Sequence, residues 1–358
     1  MGLTKTSNLT LEGVAIGSLP CTDADEAMYI VEKYFHNVPF WPQLTKISKK
    51  EDMLVQFLEN MPSFFIEKNC LDSDYKDFTS DLKAFLNDYN KIILDQNATE
   101  FDKYGLSRDY ASAFERFIHL VKNKRPRYAK GQIAGPFTLL TTFHDKNGTT
   151  AIHNPLYREI MLKTLILKTL WQIKEIKKAS PETIPIIFID EPSLSKIQVF
   201  DKTMQNYAAS MIREISAIIR ANGGLSGVHC CSKCDWRIPI FAGVDIINPD
   251  AFFYPETLNI YSNEIINFIN HGGKLALGIV PTREKNVIES LTIQDLEEKF
   301  EEAVKNLTNK GIDEKIIIDN LIITPACGAG NLDERLALKA MEMTFELSEK
   351  LKKKYSVR

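Results

Sequence analysis

Histidine and cysteine are scarce in this chain, six of each among 358 residues. Yet one histidine and three cysteines crowd into Ser226-Gly-Val-His-Cys-Cys-Ser-Lys-Cys-Asp-Trp236. Other features are missing altogether. No apolar run reaches the length of a membrane span, and no basic-then-apolar leader opens the sequence. Positive charge is not in excess: 44 Lys and Arg stand against 47 Asp and Glu, a net charge of −3. A nucleic-acid-binding domain would be basic. These absences lead us to expect a cytoplasmic protein with no membrane and no nucleic acid as partner. In a reducing compartment, clustered cysteines point to metal binding or catalysis rather than disulfides. The Asn-X-Ser/Thr sequons at Asn8, Asn97, Asn147 and Asn306 are then chance matches. Met1-Gly-Leu-Thr-Lys-Thr6 fits a myristoylation pattern, but no polybasic second anchor follows it. Also missing is a Gly-X-Gly-X-X-Gly after a strand: Gly223-Gly224 precedes one, which argues against a dinucleotide-binding sheet. There is no internal repeat.

What is present is an alternation. Short apolar runs stop at polar or Pro/Gly residues: Glu12–Ile16, Ser63–Glu67, Tyr128–Ile133, Ile184–Ile189, Leu225–Val228, Val244–Asn248, Lys274–Gly278 and Asn320–Thr324. Between them, apolar residues at three- and four-residue spacing predict helices over 154–179, 203–222, 257–270, 292–310 and 333–354, with further helices at 50–60, 76–97 and 107–124. Asp201 or Lys202 opens the 203–222 helix and Gly223-Gly224 closes it. Eight strands alternating with helices predict a (β/α)8 TIM barrel, one domain over 1–358 with a helical insertion at about 68–127. An open doubly wound sheet is the competing architecture.

In such barrels the chemistry sits just past the strand C-termini. Ser18, Asp190, Glu191, His229, Cys231, Asp250 and Cys327 all fall there. In extended chain, residues i and i+2 point the same way, so His229 and Cys231 can reach one ion. Cys327, after the last strand, faces the same mouth, and Asp250 adds an oxygen. One nitrogen, two sulfurs and one oxygen suit Zn²⁺. Two other readings stay open here: a Cys231/Cys234 metal or dithiol site, or cysteines that merely pack. Ser18 is either a turn or cap residue or part of a carboxylate site. Asp190 and Glu191 are either charges emerging into solvent or an ammonium site.

Ile16-Gly-Ser-Leu-Pro20, Gly135-Pro-Phe-Thr138, Ile189-Asp-Glu-Pro192, His229-X-Cys231 and Pro325-Ala-Cys-Gly328, in that order, resemble the catalytic C-terminal half of cobalamin-independent methionine synthase. They also look like the wider superfamily of uroporphyrinogen decarboxylases and corrinoid-dependent thiol methyltransferases. The resemblance covers about residues 12–350 and is weakest between 40 and 127. It implies His229, Cys231 and Cys327 as zinc ligands, with Asp250 where the family carries a glutamate. It implies Ser18 at the carboxylate and Asp190 at the ammonium of homocysteine. The chain has no room for the folate enzyme's extra barrel, and Gly328-Ala-Gly-Asn-Leu332 replaces the basic run of those enzymes. The implied donor is therefore a methylcorrinoid, either methylcobalamin or a corrinoid protein partner. Coenzyme M or another thiol is an alternative acceptor. A corrinoid- or tetrapyrrole-binding barrel without transferase activity is an alternative function.

Overall fold

The computed structural model describes residues 9–95 and 98–357. Asn8, Asn97 and the Met1–Thr6 pattern lie outside the described residues. The chain is a mixed α/β protein built on a curled sheet of six parallel strands. They are β3 (Tyr128–Ala134), β4 (Ile184–Asp190), β5 (Leu225–Cys230), β6 (Ile246–Pro249), β7 (Lys274–Val280) and β8 (Leu321–Pro325), hydrogen-bonded in sequence order. All six coincide with predicted apolar runs to within a few residues. Their residues are buried on both faces because helices cover the outside, as parallel sheets require.

The two faces hold separate apolar clusters. The outer one packs the helices against Ile187, Ile189, Val228, Ile247, Leu275 and Ile323. The inner one gathers Tyr128, Ile186, Phe188, Leu225, Ile246, Ala276 and Ile322, and adds Leu9, Val14, Ile16 and Val38 from the N-terminal part of the chain. Period-two alternation sorts the residues between the clusters.

Beyond the two edges of this sheet the chain runs extended. Gly13 bridges Ile323 of β8, Phe40 bridges Lys130 of β3, and Ser18 bridges Gln43, all in parallel. The bonds include Val14 N–H to Ile323 O (2.9 Å), Gln43 N–H to Gly17 O (3.0 Å) and Trp41 N–H to Lys130 O (3.0 Å). Ser63–Glu67 does not join the sheet. Its core forms β1 (Phe64–Phe65), paired antiparallel with β2 (Cys70–Leu71) in a two-stranded hairpin apart from the main sheet, and Leu71 also bridges Asp145. The chain instead runs beside β3 at residues 40–43, where Pro39 and Pro42 lack donors for a regular ladder.

The outer helices match the predicted periods. Lys202–Ala221 is capped by Asp201, whose carboxylate accepts from Met204 N–H, and ends at Gly223 with φ +78°. Pro155–Ala179, Ile293–Thr308 and Glu334–Lys354 follow the expected spans. Helix 257–270 is divided into Glu256–Ile260 and Ser262–Asn270. Residues 50–60 make only 3₁₀ turns, Lys49–Glu51 and Gln56–Leu58. The segment 68–127 contains the helices Phe78–Leu94 and Phe114–Lys124. No helix among the described residues is long and apolar enough to cross a membrane.

Candidate metal centre

The register of the sheet builds the site. Asp190 of β4 is the Cα partner of His229 of β5, and His229 is the partner of Asn248 of β6. Three polar residues thus form one row at the C-terminal ends of adjacent strands, where an apolar layer would otherwise continue. His229 and Cys231, two residues apart, meet Cys327, which follows β8. Their ligand atoms all lie within 4.8 Å of one another.

The histidine is oriented by a chain of hydrogen bonds. Asn248 Nδ2 donates to Ala276 O (2.7 Å) and to Thr324 Oγ1 (2.8 Å), which fixes the amide so that Oδ1 faces His229. Oδ1 stands 2.7 Å from His229 Nδ1 and accepts its proton. Nε2 is then left aimed at the two sulfurs. It is buried and has no hydrogen-bond partner among the described residues. A buried orphan nitrogen costs free energy unless something binds it. Metal-ligating histidines characteristically have the other ring nitrogen held in this way.

Without an ion the three groups share protons. Cys327, donating to Cys231, and then His229 bring the Cys231 thiol down to about 4 against the opposing effect of burial. Cys327, on the donating side of that pair, is raised well above the usual thiol value. His229 is lowered by burial but raised more by Cys231 and Asp190, reaching about 9. The set fits zinc: one nitrogen, two sulfurs, and separations that need only about 1 Å of contraction to suit bonds of about 2.0–2.3 Å.

Asp250 is not part of this group, which corrects its expected place as fourth ligand. Its Oδ1 accepts from Phe253 N–H (2.9 Å), and its Oδ2 faces Arg283 Nη2 at 3.4 Å. Burial pushes its carboxyl up to about 6. Arg283 also donates to the carbonyl of Cys231, tying the residue after β7 to the ligand loop. Cys234 belongs elsewhere too. It is buried beside the buried Cys230, and burial first, then Cys230, pushes the Cys234 thiol well above its usual value.

A cleft of about 240 Å³ opens over the three ligands. Its lining includes Ser18, Asp190, Gly328, Gly330, Asp52 and Met53. Asp190 is only 7% exposed, and its Oδ1 has no hydrogen-bond partner among the described residues. Burial raises its pKa, while His229 and Lys130 pull it back. Ser18 sits under the Gly328-Ala-Gly330 turn. Ala329 N–H donates to its carbonyl (2.9 Å) and Gly330 N–H to its Oγ (3.3 Å). A Cβ at Gly328 would overlap Ser18 Oγ, so the approach needs glycine. Ser18 does not cap the helix Ala24–Tyr34; Asp23 does.

Glu191 is corrected as well. Its carboxylate turns away from the cleft into the start of the helix Pro136–Thr142. There it accepts from Phe137 N–H (2.9 Å), Thr138 N–H (2.8 Å) and Thr138 Oγ1 (2.6 Å). It is an internal cap, and Gly135 must lack a side chain because a Cβ would overlap the Glu191 carboxyl.

The sequence reading passed over Asn248, Arg283 and the cleft wall from Gln43 to Met53. Asn248 and Arg283 follow the strand-end pattern that marked the others, so that signal was available. The wall residues carry no such signal, because they follow no predicted strand. No protein-family model matches the chain, and no curated protein matches it.

Proposed function

We propose that the protein is a zinc-dependent thiol methyltransferase, moving a methyl group from a methylcorrinoid to homocysteine. The observation that carries this is the orphaned His229 Nε2 converging with two thiols beneath a cleft that also holds an unpaired, buried Asp190. His229, Cys231 and Cys327 would hold the ion, three protein ligands leaving an open position as catalytic sites do. Bound there, zinc would supply deprotonation of the acceptor thiol, only about 3% of which is thiolate at neutral pH with an ordinary pKa.

The chain's own residues do the rest. Asn248 holds the tautomer of His229. Asp190 would take the acceptor's ammonium group, satisfying Oδ1. Ser18 and the Gly330 amide would take its carboxylate. Arg283 offsets negative charge at the thiolates and holds the ligand loop. We further propose that the sheet is a closed (β/α)8 barrel, with residues 13–18 and 40–43 as the two remaining staves. The parallel bridges at both edges and the N-terminal residues in the inner cluster support closure.

The test is methionine formation from homocysteine and methylcobalamin by zinc-loaded protein, wild type beside Asp190→Ala. Turnover lost in the variant with zinc retained supports the amino-acid clamp. Unchanged kinetics would remove the clamp, and no methionine from either protein would remove homocysteine as the acceptor. A simple thiol, such as coenzyme M, would not need Asp190.

A further inference from the structure

Asp190 Oδ1 is one acceptor atom without a donor in the cleft, and Gln43 Oε1 is another. Gln43 is 4% exposed and lines the same cleft. Its amide has one orientation, fixed from outside the sheet. The carbonyl of Tyr110, in the segment 68–127, can only accept. The fully buried Gln56 therefore gives it Nε2 (2.5 Å) and keeps Oε1 for Gln43. Gln43 presents Nε2 to that oxygen (2.7 Å), so its own Oε1 is turned the other way. There it lies against Gly17, next to Ser18: a Cβ at Gly17 would stand 2.5 Å from it. It accepts no hydrogen bond among the described residues.

The wall that carries Gln43 is pinned to the same segment at a second point. The fully buried Glu51 accepts from Leu44 N–H and from Ser112 N–H (both 2.9 Å). Residues 110–112 thus hold both the amide of Gln43 and the residue after it. Between residues 40–43 and β4 lies β3, where the partner of Asp190 is Ala134, with only a methyl group as side chain.

An ammonium group brings three N–H donors, and one carboxylate oxygen does not take them all. A donor buried without an acceptor costs free energy. We infer that Gln43 Oε1 is the second acceptor for the ammonium group of the thiol substrate, with Gln56 and Tyr110 as the positioning pair that turns it toward the cleft. The inference rests on the amino-acid reading of the cleft and deepens it. The site selects a thiol with a free primary ammonium group, and the segment 68–127 shapes that choice without touching the substrate. A thiol lacking the group leaves two buried acceptors unpaired, which is how a hydrogen-bonding site rejects such an analogue.

The experiment compares homocysteine with 4-mercaptobutyrate, which keeps the thiol, the chain and the carboxylate but has no ammonium group. Zinc-loaded wild type, Gln43→Met and Gln56→Met are each given methylcobalamin and both thiols, and binding of both thiols is measured by calorimetry. The expected result is a fall of about tenfold in the homocysteine-to-4-mercaptobutyrate ratio of kcat/KM in Gln43→Met, the worth of one hydrogen bond to a charged group. The fall should lie in KM, and the binding ratio should fall with it. Gln56→Met, which leaves Gln43 in place but free to turn, should show a smaller fall of the same kind with zinc retained. An unchanged ratio, or an equal loss for both thiols, in both variants would overturn the inference and leave the zinc site standing. Homocysteine bound with the expected ratios but never methylated would support the clamp and overturn the transferase reading. No binding of homocysteine by wild type would overturn both.

Discussion

Asn248 makes no contact with the cleft, yet it decides which nitrogen of His229 is available. Its amide is locked by Ala276 O and Thr324 Oγ1, so it can only accept from Nδ1. Replacing it with alanine frees the ring to turn or change tautomer. We predict that Asn248→Ala weakens zinc binding by about 10–100-fold in chelator competition, with stoichiometry still reaching one ion at excess metal. Glu191 has the opposite character: it lies beside Asp190 in sequence but serves the fold. Burial pushes its carboxyl up to about 7, against the lowering by Thr138 and the Phe137 and Thr138 amides. A raised acid favours the folded state when protonated. The stability is therefore fully present below the unfolded value near 4.5 and is lost as pH rises through about 7. Chemical denaturation should show Glu191→Gln lacking this slope, which is worth roughly 3 kcal/mol, with zinc content unchanged. The adjacent pair also shows what a sequence can and cannot disclose. Both residues follow a strand, and the strand-end rule selects both. Only the packing of the helix Pro136–Thr142 against β4 sends one carboxylate into the cleft and the other away from it.

At the scale of elements, the turn Gly328-Ala-Gly330 is the seat of Ser18. The glycine at 328 is required by close approach, since a side chain there would displace the hydroxyl. Gly328→Ala should raise the KM for the acceptor several-fold and leave zinc content intact, measured by steady-state kinetics and metal analysis. A fall in zinc instead would mean that the turn supports Cys327 rather than the substrate. The six sheet strands are legible in sequence because Ile, Val and Leu runs end at polar, Gly or Pro residues. The stretch 38–43 is not legible, because Pro39 and Pro42 break the donor pattern and its hydrogen bonds are few. Ser63–Glu67 mimics a buried strand through Phe64 and Phe65, whose rings pack on Phe143 and Tyr75 outside the sheet.

For the whole molecule, the question is closure. Six parallel strands form a curled sheet, and the N-terminal chain lies against both of its edges. If these contacts complete a barrel, the amides of Leu11, Val14, Trp41 and Gln43 should exchange with solvent as slowly as those of β3 and β8. Fast exchange at these four amides alone would describe an open sheet with a loosely laid N-terminus. Closure matters for function because Ser18 and Gln43 stand on these segments, while the metal ligands stand on β5 and after β8. The site joins residues from both ends of the chain, which is why its geometry depends on the whole fold. The measurement that tests this most directly is zinc content of anaerobically purified protein, wild type beside Cys327→Ser and Cys234→Ser. The account predicts about one zinc per chain, lost in Cys327→Ser and retained in Cys234→Ser. Zinc kept in Cys327→Ser but lost in Cys234→Ser would contradict it, placing the ion in a local knuckle around Cys231 and Cys234.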